Sequence, residues 1–240
     1  MAAPDRSAPS IYDCSVDVDL LTGMRLAKVA IERSELVAIP TDTVYGLAAN
    51  AFDASAVAAL LAAKGRGRQS PPPVLIAGVK TLPGLATDVP PVAHRLADAF
   101  WPGALTMILK AQPSLAWDLG ETRGTVALRV PNHPIALALL EETGPLAVSS
   151  ANLTGQPAAT DCQQAATYLG KSVSVYLDAG ASPMGEASTI LDLTALSTGA
   201  DSAAVNSGDA GKLRIVRQGA ISRERIAEIV GALLEEAPAE

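Results

Sequence analysis

Aromatic side chains are scarce in this chain: Phe, Trp and Tyr make up 3% of its 240 residues. That scarcity leaves few of the stacking platforms used by single-strand nucleic-acid binders, and it obliges the core to be aliphatic. Cysteine and histidine are rarer still, with Cys14 and Cys162 far apart and only His94 and His133 besides. No ligand spacing of a structural zinc site can be written from them. A Ser-His-Asp triad has little backing either, since GxSxG is absent. Positive charge is outnumbered, with 18 Lys and Arg against 25 Asp and Glu and a formal charge of -7. No block of cations forms a polyanion-binding tail, so direct tight tRNA binding is not expected, although a few converging cations can still line a cleft. No apolar run approaches the roughly 20 residues of a membrane span, and MAAPDRSAPSIYDCS lacks the core of a signal peptide. The expectation is a cytoplasmic protein with no membrane partner.

What is present is an apolar-rich chain, 49% hydrophobic, in which strand-like and helix-like segments alternate as in an α/β or α+β sheet. The pattern predicts a helix over 22–33 and a buried strand over 35–40. Asp53 then caps a helix whose Val57, Leu60, Leu61 and Lys64 share a face, and Gly65 ends it. Short apolar runs bounded by Gly, Pro or Asn predict strands at 104–109, 125–130, 145–150 and 189–193. An amphipathic helix carries Ile226, Ile229, Val230, Leu233 and Leu234. Residues 11–234 are read as one domain, with flexible tails at 1–10 and 235–240 and a flexible loop at 195–212.

Familiar nucleotide signatures fail: there is no GxxxxGK[ST], and no GxGxxG follows a strand. Four polar clusters remain at predicted element ends, where side chains of an open sheet can converge. PTDTVYGL (40–47) brackets hydroxyls and one carboxylate with proline and glycine, which suits a ligand as well as it suits a turn in which Asp42 satisfies local backbone groups. KGRGRQSPPP (64–73) puts three cations in five residues, able to clamp phosphates or simply to be solvated. LRVPNHP sets Arg129 on the face opposite Val126, Leu128 and Val130, where it faces either water or a carboxylate or carbamate. SSANLTG (149–155) follows an apolar strand with hydroxyls, an amide and turn backbone suited to phosphate or carboxylate oxygens. Ser188 of STILDL and Arg217 of RIVRQGAI add a hydroxyl and a strand-end cation. By chemistry alone these suggest a cleft for a phosphorylated ligand and a small carboxylate.

In their order, PTDTVYGL, KGR, WPGALTMIL, TVALRVP, SSANLTG, STILDL and RQGAI resemble the YrdC/Sua5 family of threonylcarbamoyl-AMP synthases over roughly residues 20–225. The resemblance implies a YrdC-like α/β (α+β) fold, a twisted open mixed sheet flanked by helices with a concave ligand-binding face, without the separate C-terminal domain of longer members. It implies synthesis of threonylcarbamoyl-AMP and pyrophosphate from ATP, L-threonine and bicarbonate, with Mg²⁺ accompanying ATP, and delivery of the adenylate to the tRNA threonylcarbamoyl-transferase machinery that makes t6A. Carried over residue by residue, it places Thr43, Arg129, Ser149 and Ser188 around threonine and its carbamate. Lys64, Arg66, Ser70, Thr125, Ser150, Asn152 and Arg217 fall around ATP, and Lys64, Arg66 and Arg129 are the expected catalytic groups.

This chain departs from the family's KGRPxxNPLIVHI: Ser70 stands for an Asn, Pro72 and Pro73 for an apolar pair, and Leu75 for a His near threonine. Arg68 is available as an additional phosphate ligand. An RNA-binding or ribosome-associated module is the alternative, which the acidic charge and few aromatics oppose. A carbamoyltransferase of the hydrogenase-maturation type is opposed by the missing zinc-finger cysteines and the short length.

Overall fold

The computed structural model describes residues 9–196 and 211–236. Of the expected tails and loop, residues 1–8, 197–210 and 237–240 lie outside the described residues. Within them the chain forms β1 (Ile11–Asp13), α1 (Asp17–Glu32), β2 (Val37–Ile39), β3 (Gly46–Asn50), α2 (Ala54–Ala63), β4 (Val74–Leu75), α3 (Leu82–Leu85), β5 (Ala86–Thr87) and α4 (Pro91–Phe100). There follow β6 (Leu105–Ala111), β7 (Thr125–Arg129), α5 (Pro134–Thr143), β8 (Leu146–Ser150), α6 (Cys162–Leu169), β9 (Val175–Asp178), β10 (Thr189–Asp192), β11 (Arg214–Arg217) and α7 (Arg223–Val230). All strands join one mixed sheet in the order β1-β9-β2-β3-β8-β4-β7-β6-β10-β11, with β5 paired to β6.

Local signals explain several boundaries. Asp53 caps α2 by accepting from the backbone N–H groups of Ser55 and Ala56, and Gly65 takes φ +65° just beyond its end, a conformation that disfavours any residue with a Cβ. Helix α1 starts at Asp17, five residues before the expected Thr22, because Asp17 and Asp19 occupy its first turn, where the helix dipole favours carboxylates. Helix α7 stops at Val230 with Gly231 at φ +56°; Leu233 and Leu234, expected on the helix, are buried beyond it beside an isolated bridge to Leu213.

Alternation along the strands gives the sheet two faces. Ala38, Leu47, Val74, Leu105, Met107, Leu109, Val126, Leu128, Ala147 and Leu191 belong to one core, which α2, α4, α6 and α7 cover. On the opposite face, Val37, Ile39, Ala48, Leu75, Leu146 and Val148 pack with Ala27, Ala30 and Ile31 of α1 and Ala136, Leu139 and Leu140 of α5. Each fully buried Leu or Ile there contributes about 1.5–3 kcal/mol. That second layer extends from β1 as far as Leu75 of β4 and stops short of β7, β6 and β10. On the same face of β7, β6 and β10, the residues alternating with the core, Thr125, Ala127, Arg129, Thr106, Ile108 and Ile190, line a cavity instead. Among the described residues no helix is long and apolar enough to cross a membrane.

Candidate active site

The cavity holds about 270 Å³ over the uncovered half of the sheet. Three guanidinium groups, those of Arg66, Arg129 and Arg217, line it together with the hydroxyls of Thr41, Thr43, Ser149, Ser150 and Ser188. No Asp or Glu is among its described lining residues, although acidic residues outnumber basic ones in the chain. A cationic cleft of this kind in an acidic protein attracts anions.

Arg129 sits at the end of β7, on the face opposite Val126 and Leu128, as the alternation requires, yet it is only 6% exposed. Its guanidinium is held on three sides. Nη2 donates to Asp42 Oδ1 at 2.6 Å, Nη1 to Thr43 Oγ1 at 2.9 Å and Nε to the Gly103 carbonyl at 2.9 Å. Asp42, for which the sequence left a turn role and a ligand role equally open, is the counter-ion of Arg129, and its Oδ1 also accepts from the Asn132 backbone N–H at 2.9 Å. The PTDT turn is itself fixed from within, since Thr41 Oγ1 donates to the Val44 carbonyl and contacts Thr43 Oγ1 at 3.0 Å. Five N–H bonds belong to a guanidinium. Three are thus committed to positioning, which leaves the remainder for a bidentate anion such as a carboxylate.

Lys64 has a different setting from the phosphate-facing one its sequence suggests. It caps the C-terminus of α2, is 1% exposed and is not among the residues lining the cavity. Its Nζ donates to the Ser150 carbonyl, to the Asn152 carbonyl at 2.6 Å and to Asn152 Oδ1 at 3.1 Å. Three acceptors match the three N–H bonds of an ammonium, so Lys64 folds the 150–152 turn around itself. The Lys64 carbonyl in turn accepts from the backbone N–H and the hydroxyl of Thr154. Burial, helped by the Arg66 charge, pushes the ammonium down to about 8. Asn152 is likewise buried and absent from the lining, its amide nitrogen donating to the Gln156 and Leu153 carbonyls.

Two residues beyond Lys64, Arg66 reaches the cavity wall, with Nε donating to Thr154 Oγ1 at 3.2 Å and Nη1 3.5 Å from Ser149 Oγ. Across the cavity Arg217 donates from Nε and Nη2 to the Ser188 carbonyl at 3.1 and 2.7 Å, and from Nη2 to Ser188 Oγ at 3.1 Å. Ser188 Oγ lies 2.8 Å from Thr106 Oγ1. Burial first, and then the charge of Arg66, lowers the pKa of Arg217. Neither Arg66 nor Arg217 has an ion-pair partner among the described residues, so their repulsion is left for a bound anion to relieve.

Of the remaining residues singled out in the sequence, Thr125 and Ser150 line the cavity and Ser70 does not. Arg68, available in the sequence as an additional phosphate ligand, forms an ion pair with Asp118 and is not among the residues lining the cavity. Leu75, standing for the family's His, pairs in register with Arg129 and with Pro71, Pro72 and Pro73 gives the cavity an apolar wall. Among the described residues, no group of three or more His, Cys, Asp and Glu could hold a metal ion.

The Sua5/YciO/YrdC family model, whose description reads telomere recombination, matches residues 29–201. A Mycobacterium tuberculosis protein is 48% identical over 220 residues, covering 92% of this chain and 94% of its own. A Bacillus subtilis protein named threonylcarbamoyl-AMP synthase is 39% identical over 210 residues, covering 86% of this chain and 56% of its own. The crystal structure of Pyrococcus abyssi Sua5 complexed with L-threonine superposes with a TM-score of 0.80 at 32% identity over 94% of this chain; this chain spans 61% of that archaeal protein. With one family model over most of its length and a relative 48% identical over 92% of it, the chain belongs to the Sua5/YciO/YrdC family.

Proposed function

We propose that this protein is a threonylcarbamoyl-AMP synthase, forming the adenylate and pyrophosphate from ATP, L-threonine and bicarbonate. The observation that carries the reading is the cavity with three guanidinium groups and no carboxylate, in a chain similar to relatives named for this activity. The spare N–H bonds of Arg129, fixed by Asp42 and Thr43, receive the carboxylate of threonine. The side chain of threonine then lies toward Leu75 and the prolines, its hydroxyl toward Ser149 or Ser188. Arg66 and Arg217 neutralise the phosphates.

The threonine amine bonds to the carbon of bicarbonate while its C–OH bond breaks, and the hydroxyl leaves as water with a proton from the amine, giving a carbamate. A carbamate oxygen bonds to the α-phosphorus while the bond to the bridging oxygen breaks, and pyrophosphate leaves with that electron pair. No protein nucleophile is required; holding the carbamate in line with the phosphorus and stabilising the developing charge supply the acceleration. The chain's hydroxyls and cations suit a magnesium ion only as one carried on the ATP phosphates with most of its waters, where it supplies further charge neutralisation to the pyrophosphate. The product is a reactive mixed anhydride, to be consumed by a tRNA-modifying transferase, and a cytoplasmic location with ATP and tRNA accords with that reading.

The test is pyrophosphate release from ATP and Mg²⁺, with and without L-threonine and bicarbonate, with mass detection of the adenylate. Release that needs both substrates supports the reading. Release independent of threonine, or none at all with ATP still bound, contradicts it.

A further inference from the structure

Two loops meet at the end of the cavity remote from Arg129. One is the basic loop at 64–73; the other, 112–124, joins β6 to β7. Arg68 forks onto Asp118, Nη1 donating to Oδ2 at 2.9 Å and Nη2 to Oδ1 at 2.8 Å. The backbone repeats the union: the Glu121 N–H donates to the Arg68 carbonyl at 2.8 Å, and the Gly120 N–H returns to Asp118 Oδ1 at 3.0 Å. Gly120 allows the approach, since its φ is +104° and a Cβ there would lie 2.6 Å from the Arg68 carbonyl oxygen. A bidentate guanidinium–carboxylate pair has fixed geometry as well as charge.

Each partner is next to a cavity residue. Leu119, between Asp118 and Gly120, is 2% exposed and lines the cavity, as does Arg66, two residues before Arg68. Neither Arg68 nor Asp118 lines it. From Gly120 the backbone is tied to the start of β7, since the Thr122 N–H donates to the Gly120 carbonyl and the Thr125 N–H to the Thr122 carbonyl, and Thr125 is four residues along β7 from Arg129, a separation of about 13 Å in a strand. If Arg129 holds the amino acid, this is the nucleotide end.

We propose that Arg68 and Asp118 form a clasp that fastens the two loops and so positions Arg66 and Leu119 for the nucleotide. It rests on the reading of the cavity as the ATP site. The clasp residues touch no substrate; they are positioning residues whose loss loosens ATP and leaves threonine unaffected. Because the Arg68 and Asp118 side chains are 59% and 40% exposed, the ion pair contributes a modest, salt-sensitive effect, while the glycine contact is steric and indifferent to salt.

Calorimetric titration of ATP and, separately, of L-threonine into the full-length protein tests this. At about 50 mM salt, Arg68→Ala and Asp118→Ala each weaken ATP by about 2–5-fold with threonine affinity unchanged, and the deficit disappears near about 0.5 M salt. The exchange Arg68→Asp with Asp118→Arg restores most of it. Gly120→Ala weakens ATP by at least about 10-fold at either salt, as a clash with backbone cannot relax locally. ATP affinity equal to wild type in all variants overturns the clasp, and so does an equal loss for threonine, which would mark general loosening. A wild-type protein that fails to bind ATP overturns the functional reading itself, and the clasp with it.

Discussion

One face of the sheet is used in two ways. Over β9, β2, β3 and β8 it carries Val37, Ile39, Ala48 and Leu146, closed by α1 and α5. Over β7, β6 and β10 the same face carries Thr125, Arg129, Thr106 and Ile190 and borders the cavity. The strand alternation is identical in both halves; what differs is whether a helix lies above. Under a helix a hydroxyl or cation would lose its water without gaining a partner, a cost of a few kcal/mol that the aliphatic residues avoid. Where no helix intrudes, polar groups can stay, and they retain spare hydrogen-bonding capacity for a ligand. Val148 belongs to both halves, packing under the helices and lining the cavity, and so marks the seam between stability and chemistry.

The comparison breaks most visibly at Arg129. Arg129→Ala is expected to lower kcat/KM by at least about 10²-fold and also to destabilise the fold by about 3–5 kcal/mol, because Asp42 is left buried without its partner. Adding Asp42→Asn recovers the Tm and not the rate, which separates binding from folding. On the covered half the outcome reverses. Leu139→Ala is expected to cost about 2–5 kcal/mol in denaturant unfolding while kcat/KM, measured where the variant is folded, stays at the wild-type value.

Lys64 sharpens the boundary through pH. With its pKa lowered to about 8, the ammonium loses a proton as pH rises through that value, and with it one of the three N–H bonds that shape the 150–152 turn. A fall in kcat/KM above about pH 8, absent in the residual activity of Lys64→Met, is expected in steady-state profiles. Stability runs the other way. The folded pKa lies below the unfolded 10.5, so between about 8 and 10.5 the unfolded chain binds more protons, and the contribution of this group to stability rises with pH. The smallest effect belongs to the exposed pair Lys28–Glu142, which joins α1 to α5 at 2.9 Å. Lys28→Ala should leave both Tm and turnover where they are.

Much of the fold was legible wherever the signal was local. Asp53 and Gly65 announced both ends of α2, and the apolar runs at 104–109, 125–130 and 145–150 announced β6, β7 and β8 to within two residues at each end. β3 was hidden because Gly46–Asn50 reads as the tail of the PTDTVYGL turn and becomes a strand only through its antiparallel neighbours β2 and β8. The site shows the same division. Its polar clusters stood out in the sequence, and the alternation correctly put Arg129 on the face away from Val126 and Leu128. Which partner would meet it there was not visible, because Asp42 lies 87 residues away in the chain. The setting of Lys64 was hidden for the same reason, since the carbonyls that hold it come from a turn 86 to 88 residues downstream. A one-dimensional pattern assigns a side chain to a face; only the assembled sheet decides what it meets.

The central claim, that Arg129 in the open half of the sheet holds the carboxylate of the amino acid, is tested most directly by calorimetric titration of L-threonine and of L-threoninamide into the wild-type protein. The account predicts saturable binding of threonine and a loss of at least about 10-fold for the amide, which presents no anion to the guanidinium. Equal affinity for the two would contradict it.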